Sequence, residues 1–431
     1  MTTAASSDEY AHSPVIGQMA GWRVALIVAS FSIGIPDFFN GAQNALALGL
    51  PAAVAAALLA SLILFLGCCF TAVVSVRTRL STYPLVQRSF GRHGAALINT
   101  VIALIHFAAF GMNASFFGEA LVSAAQINGV PANWAAFVIL GAVLAASATL
   151  VGIRALEWLA LLIVPVLGLI FVAIAVVAIQ SHGLVIAPSP NPPTPMTFGV
   201  ATSAVVGAYM LAVATMPDLS RFVRTPRGAI VSMALSFPIA TPLMMTAAAL
   251  PALATGEPSV NKLIVSLGLG TPLLFVVALP MIIVNALNLY SSTLALGTTL
   301  PRGRPWMFTV AGATIGTGIA LAGIINYFIP FLVFLSLIIP PIAAIYVIDS
   351  FTLFRSTDPA QSIRNLPAVR WEAIAAWLGS LAIVLALRES VTLTTVPALD
   401  ATIVAAIGYV GLLKLRDRFR QPEPAPSAAQ P

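Results

Sequence analysis

Long runs of apolar residues alternate along the chain with short segments that carry charges, prolines and glycines. A helix that crosses a bilayer needs roughly 20 mostly apolar residues. The pattern therefore predicts twelve transmembrane helices, numbered here as spans one to twelve, in an all-α polytopic membrane protein. The predicted spans are 22–49, 52–76, 95–123, 134–152, 156–180, 197–218, 228–254, 268–299, 306–325, 327–350, 371–388 and 395–415.

The composition agrees with a lipid environment. Hydrophobic residues make up 59% of the 431 residues and charged residues only 8%, whereas a soluble globular protein carries roughly 25% charged residues. Soluble enzymes, nucleic-acid-binding proteins and disordered chains are thereby excluded, and membrane lipid is a predicted partner. The two cysteines, Cys68 and Cys69, are neighbours inside an apolar run, so no disulfide framework is expected.

Basic residues fall almost entirely on one side of the predicted membrane. Of the 20 lysines and arginines, only Lys262 and Arg388 follow odd-numbered spans. Because basic residues concentrate in cytoplasmic loops, both termini are predicted to be cytoplasmic, in a plasma membrane (the inner membrane of a bacterium). Residues 1–21 would form a cytoplasmic segment without a signal-peptide pattern, and residues 416–431 a disordered cytoplasmic tail. The net charge of +6 then needs no nucleic-acid partner.

Two spans, five apart, carry helix-breaking residues. Span one has Gly34-Ile35-Pro36-Asp37 near its middle, and span six has Gly207 and then Pro217-Asp218. Glycine and proline interrupt helices, and backbone freed in this way is tolerated at membrane depth only where it lines a cavity or is buried in protein. Interruptions in corresponding positions of two halves favour a transporter built from inverted repeats. The alternative is two ordinary kinks.

Few ionisable or amide side chains lie inside the spans, so each is a candidate. Asp37 is expected to bind a proton or a cation, or to cap the half-helix that follows the break, or both. His106, in span three, could hydrogen-bond a polar solute or accept a proton, or it could bond a neighbouring carbonyl structurally. Asn113 follows two helical turns later and projects from the same face, which suggests a shared cavity.

Spans six and eight supply further candidates. Tyr209, beside the suspected break at Gly207, could stack on a planar solute, although core packing is the default for a single aromatic residue. Asn285 and Asn288 share a helix face and could satisfy the edges of a heterocycle, or join helices by hydrogen bonds. No zinc spacing, phosphate-binding loop or nucleophile elbow is present, so the prediction is no enzyme, no catalytic residue, no metal and no cofactor.

Four stretches resemble motifs of the nucleobase–cation symporter-1 family, which includes the cytosine and purine permeases. Residues 88–94 (RSFGRHG) resemble its R-x-SFG-x-x-G signature, and residues 217–222 (PDLSRF) its PD-[YF]-x-R-[YF] element. Residues 288–292 (NLYSS) look like its span-eight motif, and residues 339–351 are similar to its span-ten ending, with Ser350 departing from the pattern. In its length and in the residues of these motifs, the chain resembles the bacterial cytosine permeases most.

The resemblance implies a five-plus-five inverted-repeat (LeuT-like) core at 22–350. Its repeats would be 22–180 and 197–350, and two accessory helices would lie at 371–415. Substrate would lie between spans one, three, six and eight, beside Gly34, and transport would proceed by alternating access.

Carried over by position, the family's span-six aromatic falls on Tyr209 and its span-eight amide on Asn288 or Asn285. The glutamine with which the cytosine permeases read the base falls on His106. The glutamine of the hydantoin-type members falls on Asn113, and the tryptophan that often stacks on the ring falls on Ala109. These departures leave open which heterocycle is bound.

The resemblance also implies residues for ion coupling and for gating. Sodium-dependent members use hydroxyl side chains near the position of Ile282-Ile283-Val284, and these hydroxyls are absent here. Asp37, which the family pattern does not demand, could then carry a proton, so H⁺ is favoured as coupling ion and Na⁺ remains possible. Asp218, Arg221 and Asp349 are assigned to gating or structural motifs.

The sequence thus predicts a symporter that imports a nucleobase or a related planar heterocycle. The alternatives are an amino-acid or amine carrier of the same architecture, a passive channel, and an intramembrane enzyme. The oligomeric state is left open.

Overall fold

The computed structural model describes residues 21, 24, 25, 28, 33–151, 154–300, 302–355, 366–387 and 393–419. The predictions for residues 1–20 and 420–431, and for Arg388, lie outside the described residues. The last helix continues through residues 416–419.

The described chain is built from helices. They are α1 (Ile35–Leu48), α2 (Leu50–Thr78), α3 (Thr82–Ile127), α4 (Trp134–Val151), α5 (Arg154–His182), α6 (Phe198–Ala214), α7 (Met216–Ser220), α8 (Pro226–Ala234), α9 (Phe237–Thr255), α10 (Val260–Ser266), α11 (Thr271–Thr299), α12 (Pro305–Leu321), a 3₁₀ turn (Ile324–Tyr327), α13 (Phe328–Phe351), α14 (Trp371–Leu387) and α15 (Pro397–Phe419).

The long helices overlap the predicted spans, although α3 begins at Thr82, ahead of the predicted start of span three at residue 95. Within the described ranges, seven helical segments are long and apolar enough to cross a membrane, and four shorter apolar helices match spans four, six, nine and eleven. On α2, Leu58, Leu62 and Leu66 form an exposed ridge at four-residue spacing, the surface expected of a helix that faces lipid. The α-helical membrane fold is confirmed. The count of twelve spans stays a prediction, because much of the first half of span one lies outside the described residues.

The helix packing repeats between the two halves of the chain. Helix α1 (span one) packs on α9 (span seven), and α6 (span six) packs on α2 (span two). In the same way α3 packs on α12 while α11 packs on α4, and α3 and α11 pack on each other at the centre. Each contact maps onto another, or onto itself, when spans one to five are exchanged with spans six to ten. This is the packing expected of a five-plus-five repeat.

The loops that are rich in arginine meet at one end of the bundle, here called the basic end. The Arg79 guanidinium donates to the backbone oxygens of Arg221 and Val223 at 2.6 and 2.7 Å, which joins the loops after spans two and six. The backbone N–H groups of Arg92 and His93 donate to the segment before α14, which adds the loop after span ten. The loops after odd-numbered spans meet at the opposite end, where the Asn128 side chain donates to Thr271.

The interruption in span one lies where the sequence placed it, and of the two positions named in span six only Pro217-Asp218 lies beside a break. Gly34 is extended, with φ −164° and ψ 173°, and α1 starts at Ile35 with a proline in its first turn. Helix α6, by contrast, passes through Gly207 without a break and ends at Ala214, so the expected interruption at Gly207 is wrong. A Cβ on Gly207 would lie 1.8 Å from the backbone oxygen of Leu332. This glycine therefore lets α6 and α13 approach closely, and the break in span six falls at Thr215.

Candidate functional site

His106 and Asn288 meet between α3 and α11. His106 Nδ1 lies 3.1 Å from Asn288 Oδ1, and because a carbonyl oxygen only accepts, Nδ1 is the donor. The remaining ring nitrogen, Nε2, is buried and has no hydrogen-bond partner among the described residues, in a side chain that is 5% exposed. An unpartnered buried polar atom costs about 1–3 kcal/mol. The pair therefore presents an acceptor that a ligand donor can satisfy.

Two other predicted amides donate hydrogen bonds to backbone oxygens. The Asn113 amide donates to Ala109 of its own helix at 3.0 Å. The Asn285 amide donates to the Phe110 backbone oxygen at 3.2 Å and so joins α11 to α3. Asn285 therefore takes the interhelical role named as its alternative, and of the two span-eight amides it is Asn288 that faces His106.

Asp37 and Tyr209 form a second pair, between α1 and α6. The Tyr209 hydroxyl lies beside the Asp37 carboxylate, which also lies beside its own backbone N–H. Asp37 lies in the first turn of α1, where a carboxylate stabilises the unsatisfied N–H groups of the helix. Tyr209 is 2% exposed, and its ring lies 5.6 Å from that of Phe237, tilted by 57°. The capping role and a role in coupling are thus compatible.

Both pairs lie on helices that touch α1. Helix α1 contacts α3, α6 and α11, and the Cβ position of Gly34 is 3.4 Å from Met281 of α11. The four helices predicted to surround the substrate are therefore neighbours. The convergence of Tyr209 and His106 on one ligand stays a prediction.

A cavity of about 490 Å³ opens at the opposite end of the bundle. Its walls come from α1, α3, α4, the segment 257–262 and the turn before α13; they include Phe39, Gln43, Phe116, Glu119, Trp134, Glu257, Asn261, Lys262 and Asn326. Lys262 and Glu257 form an ion pair there, with Nζ and Oε2 3.6 Å apart. The rings of Phe39, Phe116 and Phe328 meet edge to face, with centroids 5.3–5.5 Å apart.

Sequence reasoning missed three buried amides on α1. Asn40, Gln43 and Asn44 are each less than 6% exposed, and each has at least one side-chain polar atom without a hydrogen-bond partner among the described residues. The available signal was their spacing, because polar residues three and four apart share one face of a helix. Polar side chains inside a membrane span are functional candidates by default.

Asp218 caps another helix at the basic end. Its Oδ1 accepts from the backbone N–H of Thr82, at the start of α3, at 2.8 Å. Arg221, three residues on, lies over the ring of Phe222, 4.9 Å from its centroid. Nearby, the carbonyl of Ala214, the last residue of α6, accepts from the Tyr346 hydroxyl at 2.9 Å. Groups at the start of α3 and on α13 thus contact the chain around the break in span six.

Asp349 belongs to a buried network of ionic and hydrogen-bonding contacts between the accessory helices and the core. It forms an ion pair with Arg370, just before α14, and accepts from the Tyr409 hydroxyl of α15 at 2.6 Å. Arg370 also donates to the backbone oxygen of Arg88 at 3.1 Å. The Arg88 guanidinium lies 4.3 Å from the ring centroid of Phe354. Within the described residues, Asp349 therefore joins α13 to the segment before α14 and to α15.

The turn of α11 where sodium-dependent members carry hydroxyls is apolar. Ile283 is buried, and Ile282 and Val284 flank it. Among the described residues, no three His, Cys, Asp or Glu side chains cluster as metal ligands. The absence of a cofactor, and the nature of the coupling ion, stay predictions.

Comparison with known proteins gives a family match over most of the chain. Residues 22–411 match the family described as permease for cytosine/purines, uracil, thiamine, allantoin. The cytosine permease of Escherichia coli O157:H7 is 26% identical over 364 residues, 84% of each chain. The cytosine permease of Escherichia coli strain K12 is 25% identical over the same coverage.

Solved structures show the same fold. The inward-facing conformation of Mhp1 matches with a TM-score of 0.79 at 16% identity, over 97% of this chain and 96% of that one. Mhp1 in a closed conformation with bromovinylhydantoin bound, described as a nucleobase-cation-symport-1 family transporter, matches with a TM-score of 0.77 at 18% identity, covering 94% and 96%. The predicted transporter fold is thereby confirmed.

Proposed function

Because the chain belongs to the family of permeases for cytosine/purines, uracil, thiamine and allantoin, we propose that it is a symporter for a nucleobase or a related planar heterocycle. It imports this solute by alternating access and changes no covalent bond. The relatives named above are cytosine permeases, and the similar Mhp1 structure holds a heterocycle. Both support a neutral ring as the solute.

The His106–Asn288 pair is the observation that carries this proposal. A neutral imidazole that donates through Nδ1 offers Nε2 as an acceptor, and the half-buried Asn288 adds an amide edge. Nucleobases present N–H donors and carbonyl acceptors side by side on one edge. An amino acid would instead need partners for its ammonium and carboxylate groups, and this pair supplies no charge.

We place the basic end in the cytoplasm, in agreement with the positive-inside rule. The cavity near Glu119 then opens to the external side, and both termini face the cytoplasm of the cell. Asp37 is the proposed coupling group, and the proton is the proposed coupling ion. The apolar turn at Ile282 and Ile283 supports a proton, because sodium requires several oxygen ligands.

The solute is tested by uptake into proteoliposomes of cytosine, uracil, adenine, hypoxanthine, allantoin and thiamine, each offered in turn in radiolabelled form. Unlabelled uracil, adenine, hypoxanthine, allantoin and thiamine serve as competitors, and alanine and choline as controls for the amine-carrier alternative. We expect at least one heterocycle to accumulate unaltered and to compete, and the controls to be inert. Competition by alanine or choline alone would contradict the proposal. So would uptake that never exceeds the external concentration, or recovery of a chemically changed product.

Coupling is tested with Asp37→Asn, which keeps the shape and removes the ionisable group. We expect wild-type accumulation to follow an inward proton gradient and to be insensitive to replacement of sodium by choline. Asp37→Asn should lose accumulation but retain exchange of internal for external solute, whereas Asp417→Asn, at an exposed position, should behave as wild type. Accumulation by Asp37→Asn against a gradient, or a requirement for sodium, would show that Asp37 only caps α1.

A further inference from the structure

Helix α1 has one polar face and one apolar face along its length. At 100° per residue, Asp37, Asn40, Gln43 and Asn44 fall within a sector of about 120°. The opposite side carries Phe38, Ala42 and Ala45, which are fully buried and pack in an apolar cluster with residues of α5 and α9. The polar face is therefore turned toward the interior of the bundle, where α1 contacts α3, α6 and α11.

The amides on this face are buried, and each has at least one polar atom without a hydrogen-bond partner among the described residues. Both side-chain polar atoms of Asn40 lack a partner, as do Oδ1 of Asn44 and Oε1 of Gln43. Asn285 Oδ1, on α11, likewise has no partner among the described residues, although the Nδ2 of the same amide joins two helices. Buried polar groups in native proteins are satisfied by protein or by ordered water, and a buried water typically bonds about three such groups. Amides with unsatisfied polar atoms along one helix face are thus suited to bind water.

This polar face of α1 extends from Asp37 to the cavity lined by Gln43. At one end, Asp37 interacts with Tyr209 and with its own backbone N–H. At the other end, Gln43 lines the cavity of about 490 Å³. Asn40 lies between them, and Asn44 lies one helical turn after Asn40, next to Gln43.

The helices packed against α1 carry few ionisable groups that could exchange protons with this polar face. Tyr209 of α6 faces Asp37; His106 of α3 is engaged with α11; and α9 carries no charged residue. Glu119 of α3 and Lys262 of α10 stand at the cavity. On α2 the titratable groups are Cys68, Cys69 and Arg77, and on α11 Tyr290.

We propose that this polar face of α1 holds a chain of water molecules that conducts the coupling proton between the cavity and Asp37. The amides of Asn40, Gln43 and Asn44 are positioning residues: they orient water and do not themselves titrate. A proton enters from hydronium in the cavity, passes along the hydrogen-bonded waters and ends on the Asp37 carboxylate, which is neutralised. The inference rests on the proposed role of Asp37 in coupling.

Water on this face is tested by radiolytic hydroxyl-radical labelling of single-cysteine variants. In a Cys68→Ala, Cys69→Ala background, Asn40→Cys and Asn44→Cys place a reactive thiol on the polar face. Ala42→Cys and Ala45→Cys are matched controls at the same depth on the apolar face. Because the radicals form from nearby water, we expect oxidation, measured by mass spectrometry, at least fivefold faster at 40 and 44 than at 42 and 45. Equal rates at all four positions would overturn the proposal.

Conduction is tested by Asn40→Leu combined with Asn44→Leu in proteoliposomes. We expect proton-driven accumulation to slow at least tenfold while solute exchange stays within twofold of wild type, because exchange needs no net proton movement. Asn40→Ser combined with Asn44→Ser should restore the rate, since a hydroxyl also holds water. An equal loss of exchange and accumulation, or no loss of either, would overturn the role of the amides.

The two tests separate this inference from the proposed function. If wild-type protein exchanges the heterocycle but accumulates it with sodium, proton coupling fails and no proton path is needed, whatever the labelling shows. If accumulation follows protons and Asp37→Asn abolishes it, the proposed coupling stands. In that case the labelling and the leucine variants alone decide whether the polar face of α1 is the route.

Discussion

At the scale of single residues, the free nitrogen of His106 makes the sharpest prediction about recognition. In His106→Leu the Asn288 carbonyl loses its donor and the ligand loses an acceptor. The acceptor lost to the ligand is worth about 1–3 kcal/mol, so we expect the half-saturation constant for uptake to rise by roughly one to two orders of magnitude. In His106→Gln a side-chain N–H can still donate to Asn288 Oδ1, and most of the affinity should remain.

The measurement is concentration-dependent uptake at matched surface expression. An unchanged half-saturation constant in His106→Leu would remove this pair from the site. An equal loss in His106→Gln and His106→Leu would show that the imidazole itself is required.

At the scale of helices, Gly207 sets how closely α6 and α13 approach. In Gly207→Ala the new methyl group would overlap the Leu332 carbonyl, and overpacking of this kind costs about 1–3 kcal/mol or more. We expect a lower thermal unfolding midpoint in detergent. Gly408→Ala is the matched control, because nothing lies within 4 Å of its added Cβ and alanine favours a helix by about 0.5–1 kcal/mol. A midpoint for Gly207→Ala equal to that of Gly408→Ala would contradict the close approach.

Substitution of Asp218 tests how the end of span six is joined to the start of α3. Removal of a capping side chain costs about 1 kcal/mol, and Asp218→Ala would free the backbone N–H of Thr82. We expect the maximal transport rate to fall more than the apparent affinity, because the contact lies at the basic end, away from the His106–Asn288 pair. Asp218→Asn keeps an oxygen that can accept this bond and should retain most of the rate. An affinity loss as large as the rate loss would argue against a gating role.

At the scale of the whole molecule, the ion pair of Asp349 and Arg370 joins the accessory helices to the core. Removal of one partner of a buried pair costs about 3–5 kcal/mol, because it leaves an uncompensated charge. We therefore expect Arg370→Met to lower the unfolding midpoint strongly. Lys262→Met removes an ion pair whose lysine side chain is 71% exposed, and a pair of this kind is worth under about 1 kcal/mol. Similar midpoints for the two variants would show that the network is not needed for stability.

Much of the architecture could be predicted from the sequence, because it follows from local composition. A run of about 20 apolar residues has to be a helix in lipid, since every backbone group must be satisfied within it. The break at Gly34 was also local: a glycine, a proline and a carboxylate stand together there. The gathering of arginine-rich loops at one end follows from the alternation of spans, and the family motifs indicated the fold that the comparisons confirm.

The partners of the polar residues could be decided only by the tertiary structure. His106 and Asn288 are 182 positions apart, and nothing local distinguishes Asn288 from Asn285, which holds a helix backbone instead. Gly207 was misread as a break, because a glycine that loosens a helix and one that admits a neighbouring backbone look identical in sequence. Hydropathy depends on each residue and its solvent, whereas a hydrogen bond or a close approach depends on which distant residue stands opposite.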